Sequence, residues 1–368
     1  MKIKKLFSFS SQKSSKSCDS LETILRQPQQ QVGGSGGSGT RAGVKGDIHS
    51  EYVINELLGK GGFGRVFSAR RICDGTEVAV KEVVKDARYK TDNKNSNSLP
   101  TEIALMQQVQ HVEGVIKILD CFDSPDCYYI VMEKFKSKDL FDFITDQGPL
   151  PEKLARSMFR GIVKTVIECR DGGVLHRDIK DENILVDLNT MNTKLIDFGS
   201  GCVLNKTNNN SSSTVFTEYR GTRVYSPPEW IQQGRYTGDG LTVWSLGVLL
   251  YDMLCGDIPF TCDRDTCAGK LTWNRHLRLS DAAMDLVERC LTVLPEQRIT
   301  LDSILSHPWL HESTPSLRAS PSSVSLMSTS PVSSVTSSSS SPVLSDSLLD
   351  EVVASLQPAS ASLLVMTV

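Results

Sequence analysis

Asp178 and Asn183 stand five positions apart in His176-Arg177-Asp178-Ile179-Lys180-Asp181-Glu182-Asn183. A carboxylate and an amide at that spacing can face one reaction centre from two sides of a single loop. Asp178 would accept a proton from an attacking hydroxyl, Asn183 would hold a divalent cation, and Lys180 would point its charge at the group in flight. Fourteen residues beyond Asn183, Asp197-Phe198-Gly199 brings a second metal-binding carboxylate, Asp197. Oxygen donors of this kind suit magnesium. The chemistry such residues support is phosphoryl transfer to a hydroxyl, in which positioning and charge neutralisation supply most of the catalysis.

A phosphoryl donor needs a cradle. Gly59-Lys60-Gly61-Gly62-Phe63-Gly64 lies between two predicted strands, 53–58 and 65–69. This glycine pattern also opens helices in dinucleotide-binding folds, where an acidic residue follows about twenty positions on. Here a second strand follows, and then Glu77-Val78-Ala79-Val80-Lys81. The reading is a glycine-rich hairpin over nucleotide phosphates and a strand whose Lys81 grips them, against the alternative of an ordinary hairpin with a glycine turn. Apolar residues at helical spacing predict a helix over 101–109, with Pro100 suited to its first turn. Its Glu102 is the candidate partner of Lys81, because a lysine held in a cleft needs an anion. A solvated helix glutamate is the alternative.

Around these residues the chain runs strands first and helices later. Strands over 115–120 and 128–132 complete a small antiparallel sheet, and Glu133-Lys134-Phe135 connects that sheet to a helical second lobe. Helices are predicted over 139–146, 151–170, 281–291 and 300–306, with a fully buried one over 244–254, apolar nearly all round. The expected class is α+β and bilobal: a small antiparallel β N-lobe with one main helix over 52–133, and a larger α-helical C-lobe over 136–311. The folded domain is expected over 49–311. The Ser/Gly-rich residues 1–48 and the Ser/Pro-rich residues 312–368 bury too little apolar surface to offset their ordering entropy and read as disordered. A polar insert, 205–213, interrupts the loop that Pro227-Pro228-Glu229 closes.

Composition excludes several classes. A net charge of −3 over 368 residues gives no bulk basic field for nucleic acid. The ten cysteines contain no C-x-x-C pair, so a zinc site is not expected. No apolar run approaches the roughly 18 residues of a membrane span. Met1-Lys2-Ile3-Lys4-Lys5 does not continue as a secretory signal, Lys2 excludes N-myristoylation, and the last four residues are not a prenylation box. The expectation is a soluble monomer of the cytoplasm, with the nucleus as a second location.

The glycine loop, Val78-Ala79-Val80-Lys81, His176-Arg177-Asp178, Asp197-Phe198-Gly199 and Pro227-Pro228-Glu229 occur in one order over 52–311, about 70% of the chain. That set resembles the protein kinase superfamily, and Lys180, two positions after Asp178, resembles its serine/threonine class. Asp139-Leu140-Phe141-Asp142-Phe143-Ile144, Gly221-Thr222-Arg223-Val224-Tyr225-Ser226 and Cys255-Gly256-Asp257-Ile258-Pro259-Phe260 are similar to the PIM family. Thr242 stands where most kinases place an aspartate that braces the catalytic loop; PIM kinases lack it too.

The resemblance implies ATP and Mg2+, with Asn183 and Asp197 as metal ligands. Leu58, Val66, Ala79, Met132, Leu185 and Ile196 would wall the adenine slot, under a loop of Gly59, Lys60, Gly61, Gly62, Phe63 and Gly64. PIM kinases carry a connector one residue longer, with a proline where Phe135 stands. The Glu133 carbonyl and the Phe135 N–H are therefore expected to bond adenine. Glu229 and Arg298 would pair beneath the catalytic loop. Arg177 would pair with Glu218, leaving the enzyme active as made, with Thr217 as a candidate phosphosite. Asp139, Asp142, Asp181, Glu182 and Asp257 border the peptide groove of that fold, so protein substrates with basic motifs are expected; for Asp142 and Asp257 a merely solvated role stands level with this one. Loss of Lys81 or Asp197 should cost orders of magnitude in rate with little effect on folding. The competing reading, a pseudokinase serving as a nucleotide-binding scaffold, would be signalled by loss of Lys81, Asp178, Asn183 or Asp197, and all four are present.

Overall fold

The computed structural model describes residues 44–61, 64–85, 100–204 and 214–311. The expectations for 1–43, Gly62, Phe63, 205–213 and 312–368 lie outside the described residues.

Strand β4 (Glu77–Val84) shows how the N-lobe is built. Side chains alternate across a strand, so Val78 and Val80 face one way and Ala79 and Lys81 the other. The two valines are fully buried in an outer cluster with Ile48, Tyr52, Ala69, Phe122 and Val131. The opposite face, carrying Lys81, looks toward the cleft. β4 pairs antiparallel with β3 (Gly64–Arg71) and β6 (Cys127–Glu133); β2 (Tyr52–Gly61) and β5 (Ile118–Asp123) flank these. A short strand β1 (Val44–Lys45) pairs parallel with β5, giving the order β1-β5-β6-β4-β3-β2.

Two differences from the sequence expectation are visible. The described residues begin at Val44, inside the segment read as disordered, and there Ile48 is buried to 1% exposure. A two-residue strand carries no periodicity to read. The strand expected from 115 begins at Ile118, because Val115 instead bridges Leu195 and the Ile116 N–H donates to the Leu195 carbonyl at 3.1 Å. The chain is stitched to the C-lobe before it enters the sheet.

The inner face of the sheet packs on α1 (Thr101–Gln108), whose Ile103, Leu105 and Met106 join a core that continues through the C-lobe. There α2 (Leu140–Gln147), α3 (Glu152–Asp171), α4 (Pro228–Gln233), α5 (Gly238–Cys255), α6 (Asp263–Ala268), α7 (Asp281–Cys290), α8 (Leu301–Ile304) and α9 (Pro308–His311) follow. α5 is the apolar-all-round helix, longer at both ends than its sequence signal, and its Trp244 is fully buried. None of the described helices is long and apolar enough to cross a membrane.

Short strands that the sequence does not announce do the positioning. β7 (Ser137–Asp139), β9 (Ile184–Asp187) and β10 (Thr193–Leu195) form one small sheet. β8 (Val174–Leu175) pairs with β11 (Cys202–Val203), and β12 (Val215–Phe216) with β13 (Tyr236–Thr237). The β9–β10 register sets Ile184 opposite Leu195. Asn183 and Asp197 therefore emerge from the same end of the hairpin, and the Ile196 N–H donates to the Asn183 carbonyl at 3.0 Å.

Candidate active site

Lys81 is brought to the cleft by the β4 alternation, and Glu102 by the first turn of α1. The Lys81 Nζ donates to Glu102 Oε1 at 2.6 Å and to Asp197 Oδ1 at 3.0 Å. Lys81 and Glu102 are 8% and 6% exposed, so both charges have left water and each needs the other. Burial works against the Lys81 ammonium, but Glu102 and Asp197 hold its pKa above the ordinary value. Burial alone would push the Asp197 carboxyl up; Lys81 more than offsets this and holds it down. The site thus keeps a protonated lysine beside an ionised aspartate at neutral pH.

Asp197 sits at φ 63, and Arg177, one residue before Asp178, at φ 62. Both are non-glycine residues in the left-handed region, a strain that persists only where surroundings over-determine it. For Asp197 the surroundings are Lys81 and the Gly199 N–H, which donates to Oδ1 at 3.3 Å.

Asp178 is held from three sides. The Thr222 N–H donates to its Oδ1 at 2.8 Å, and the Asn183 Nδ2 donates to its carbonyl at 2.8 Å and to Oδ2 at 3.2 Å. The Asp178 N–H donates to His176 Nδ1 at 3.3 Å, while His176 Nε2 meets the Ile196 carbonyl at 2.9 Å. A carbonyl can only accept, so Nε2 carries the proton and the ring is neutral. Burial holds the His176 pKa below its ordinary value, consistent with that tautomer. Thr242 does not brace this loop: its hydroxyl donates back to the Gly238 carbonyl of its own helix at 2.8 Å. Support comes instead from Thr222, in the activation segment, the stretch between Asp197-Phe198-Gly199 and Pro227-Pro228-Glu229.

Lys180 lies 2.7 Å from Glu182 and 3.8 Å from Asp178. Of the residues expected to wall the adenine slot, Val66, Ala79, Met132, Leu185 and Ile196 are half-buried, with Ala79 paired to Met132 across the sheet, whereas Leu58 is 50% exposed. Lys60 and Gly59 stand on β2, where a Cβ on Gly59 would meet open space. A Cβ on Gly64 would meet the Glu82 carbonyl oxygen at 2.0 Å, so that glycine is required by the hairpin's own packing. The Glu133 carboxylate accepts from the Lys117 N–H at 2.9 Å and pairs with Lys194 at 3.1 Å, fixing the start of the connector. Phe135 packs against the main core.

Among the groove acids, Asp139 caps α2 by accepting from the Asp142 N–H at 2.6 Å, and Asp142 is half-buried. Asp257 is exposed, and Glu182 is exposed beside Lys180. Asp181 is a correction. The 3₁₀ turn Asp181–Asn183 rolls its side chain inward, where it is 6% exposed and accepts from the Tyr225 hydroxyl at 3.2 Å. Burial, then Asp252, pushes its carboxyl up to about 7. It supports the loop and does not line a groove.

The expected Arg177–Glu218 pair is a second correction. Arg177 donates to the carbonyls of Ser200 at 2.8 Å and Gly201 at 3.1 Å, and its guanidinium lies 5.1 Å from the centre of the Phe216 ring. The Glu218 side chain turns outward, 41% exposed and 3.5 Å from Arg220. Beneath, Glu229 and Arg298 form the expected pair, bidentate at 2.9 and 2.9 Å. Sequence reasoning missed Thr222, Tyr225 and Phe216 as supports. A backbone N–H leaves no sequence signal, and Phe216 reads as one more apolar residue.

The family described as protein kinase domain matches residues 52–310. The serine/threonine-protein kinase pim-2 of Danio rerio is 45% identical over 281 residues, covering 73% of this chain and 88% of that protein. The serine/threonine-protein kinase prk-2 of Caenorhabditis elegans is 42% identical over 266 residues, 72% of this chain and 59% of that protein. Identity to the serine/threonine-protein kinase SIK2 of Gallus gallus is lower, 35% over 271 residues, 73% of this chain and 32% of that protein. This chain belongs to the PIM family of serine/threonine protein kinases. The PIM-family kinase is a transferase with an α+β bilobal domain, and the relatives give no support to the pseudokinase alternative. Protein kinases as a family use ATP and Mg2+ and act on protein substrates.

Proposed function

We propose that this PIM-family kinase moves the γ-phosphoryl group of ATP to serine and threonine hydroxyls in proteins with arginines N-terminal to the acceptor, acts as a monomer, and needs no phosphate on its own activation segment. The observation that carries this reading is the meeting of Lys81 with Glu102 at 2.6 Å and Asp197 at 3.0 Å, on the cleft side where Asn183 is fixed to Asp178.

The donor set fits magnesium. The protein bonds to Asp197 end on Oδ1, which leaves Oδ2, and the Asn183 amide nitrogen is engaged by Asp178, which leaves its oxygen. Two such oxygens match a hard cation. When bound, the ion supplies positive charge to the phosphate oxygens. Lys81 would grip the α and β phosphates, and Lys180 would face the charge that grows during transfer. Asp178, oriented before substrate arrives, would take the hydroxyl proton. Adenine would enter between Ala79, Met132, Leu185 and Ile196 and bond the Glu133 carbonyl and the Phe135 N–H. Asp139, Asp142, Glu182 and Asp257 would meet substrate arginines through charge-assisted bonds.

The test is magnesium-dependent transfer from ATP to a serine peptide with and without upstream arginines. Asp178→Asn should lower kcat by about 10³-fold with the KM for ATP little changed. Asp257→Asn should raise the KM of the arginine peptide and leave that of the plain peptide alone. Wild-type turnover by Asp178→Asn sinks the mechanism, and equal use of both peptides sinks the preference.

A further inference from the structure

We propose that Phe216 is a positioning residue for catalysis: its ring face holds the Arg177 guanidinium, and so the catalytic loop, against the activation segment in place of an anion. The inference deepens the proposal that no activation-segment phosphate is needed.

Arg177 is 9% exposed, and a cation taken out of water needs compensation. Two carbonyl dipoles, those of Ser200 and Gly201, supply part of it. Among the described residues no carboxylate stands within ion-pair distance of Arg177, and Glu218 faces outward. The Tyr236 hydroxyl is a further hydrogen-bonding neighbour of Arg177, and the negative face of the Phe216 ring lies 5.1 Å from the guanidinium carbon. That ring is itself fixed. Phe216 pairs with Tyr236 across β12 and β13 and stacks on it at 5.4 Å and 22°. Tyr236 meets Tyr219 and Trp230 edge-on, each at 5.8 Å, and its hydroxyl donates to the Glu218 carbonyl at 2.9 Å.

Arg177 therefore joins three segments: the loop carrying Asp178, the residues after Asp197-Phe198-Gly199, and the activation segment at Phe216. Asp178 is the next residue, and its carboxylate takes its second anchor, the Thr222 N–H, from that same segment. Weakening the ring's hold should misplace Asp178 relative to the acceptor hydroxyl and leave the nucleotide slot alone.

The test is a phenylalanine series of rising fluorination at position 216 of the full chain, which drains the ring face of negative charge at nearly constant shape. The expected result is a stepwise fall of kcat, reaching about ten-fold, with the KM for ATP constant and the thermal midpoint nearly so. Phe216→Tyr should keep most of the activity and Phe216→Leu should lose it. A flat kcat across the fluorinated series overturns the proposal, and it does so even where Phe216→Leu fails to fold. Phosphatase-treated wild-type protein serves as the separate control. Its inactivity would overturn phosphate independence, and the series, run on phosphorylated enzyme, would still judge Phe216.

Discussion

Lys81 shows what one residue can be asked to do here. It neutralises two carboxylates, Glu102 and Asp197, from a position that is 8% exposed. Lys81→Met should lower kcat by several orders of magnitude, as the sequence alone suggests. Burial revises the sequence expectation of little effect on folding: an unpaired inner carboxylate should cost about 3 kcal/mol, readable as a lower midpoint in urea. His176 and Asp181 make opposing contributions to the pH dependence. The raised Asp181 carboxyl, at about 7, takes up its proton in the folded state first and adds stability as pH falls. Burial keeps the folded pKa of His176 below the ordinary value near 6.5. As pH falls through that value, the unfolded chain takes up a proton that the folded ring refuses, so stability present above it is lost. Stability measured from pH 7.5 to 5 should fall less steeply in His176→Phe than in wild type. At this scale the legible residues are those whose role follows from type and spacing: Lys81, Glu102, Asp178, Asn183 and Asp197. Asp181 and Glu218 depart from expectation because the direction of a side chain depends on the turn beneath it. At Asp181 the next residue, Glu182, is exposed, so one residue of rotation there exchanges buried for exposed.

Among elements, α5 and the pair it shelters anchor the C-lobe. Arg298 bonds Glu229 with both nitrogens, donates to the Gly240 carbonyl at 2.8 Å, and lies 5.1 Å from the Trp244 ring. Arg298→Met would leave the Glu229 carboxylate buried and alone, so a loss of about 3–5 kcal/mol is expected, checked by thermal unfolding. Arg298→Lys should recover little, because an ammonium cannot form the two-pronged bond. The long helices and central strands are legible from periodicity. The short strands β7 to β13 are not, since two to four residues cannot display a period. Those strands nonetheless place Asn183 beside Asp197 and Phe216 beside Arg177.

At the scale of the whole domain, the two lobes share apolar packing. Ile103, Leu105, Met106 and Ile130 of the N-lobe belong to one buried cluster with Phe159, Trp244 and Leu286 of the C-lobe. The kinase domain should therefore unfold in a single calorimetric transition. Two resolved transitions would show that the lobes are thermodynamically separate. The order strands-then-helices makes the bilobal class legible, whereas the shared core stays hidden because no local pattern reports which distant residues will touch. The connector between the lobes has its own consequence for pharmacology. The proposed adenine contact at Phe135 rests on the resemblance, which sets this residue where PIM kinases carry a proline; its peptide N–H would be a donor that an imide nitrogen cannot offer. Compounds selected for their tolerance of that missing donor should forfeit their advantage here, and ordinary purine mimics should regain theirs.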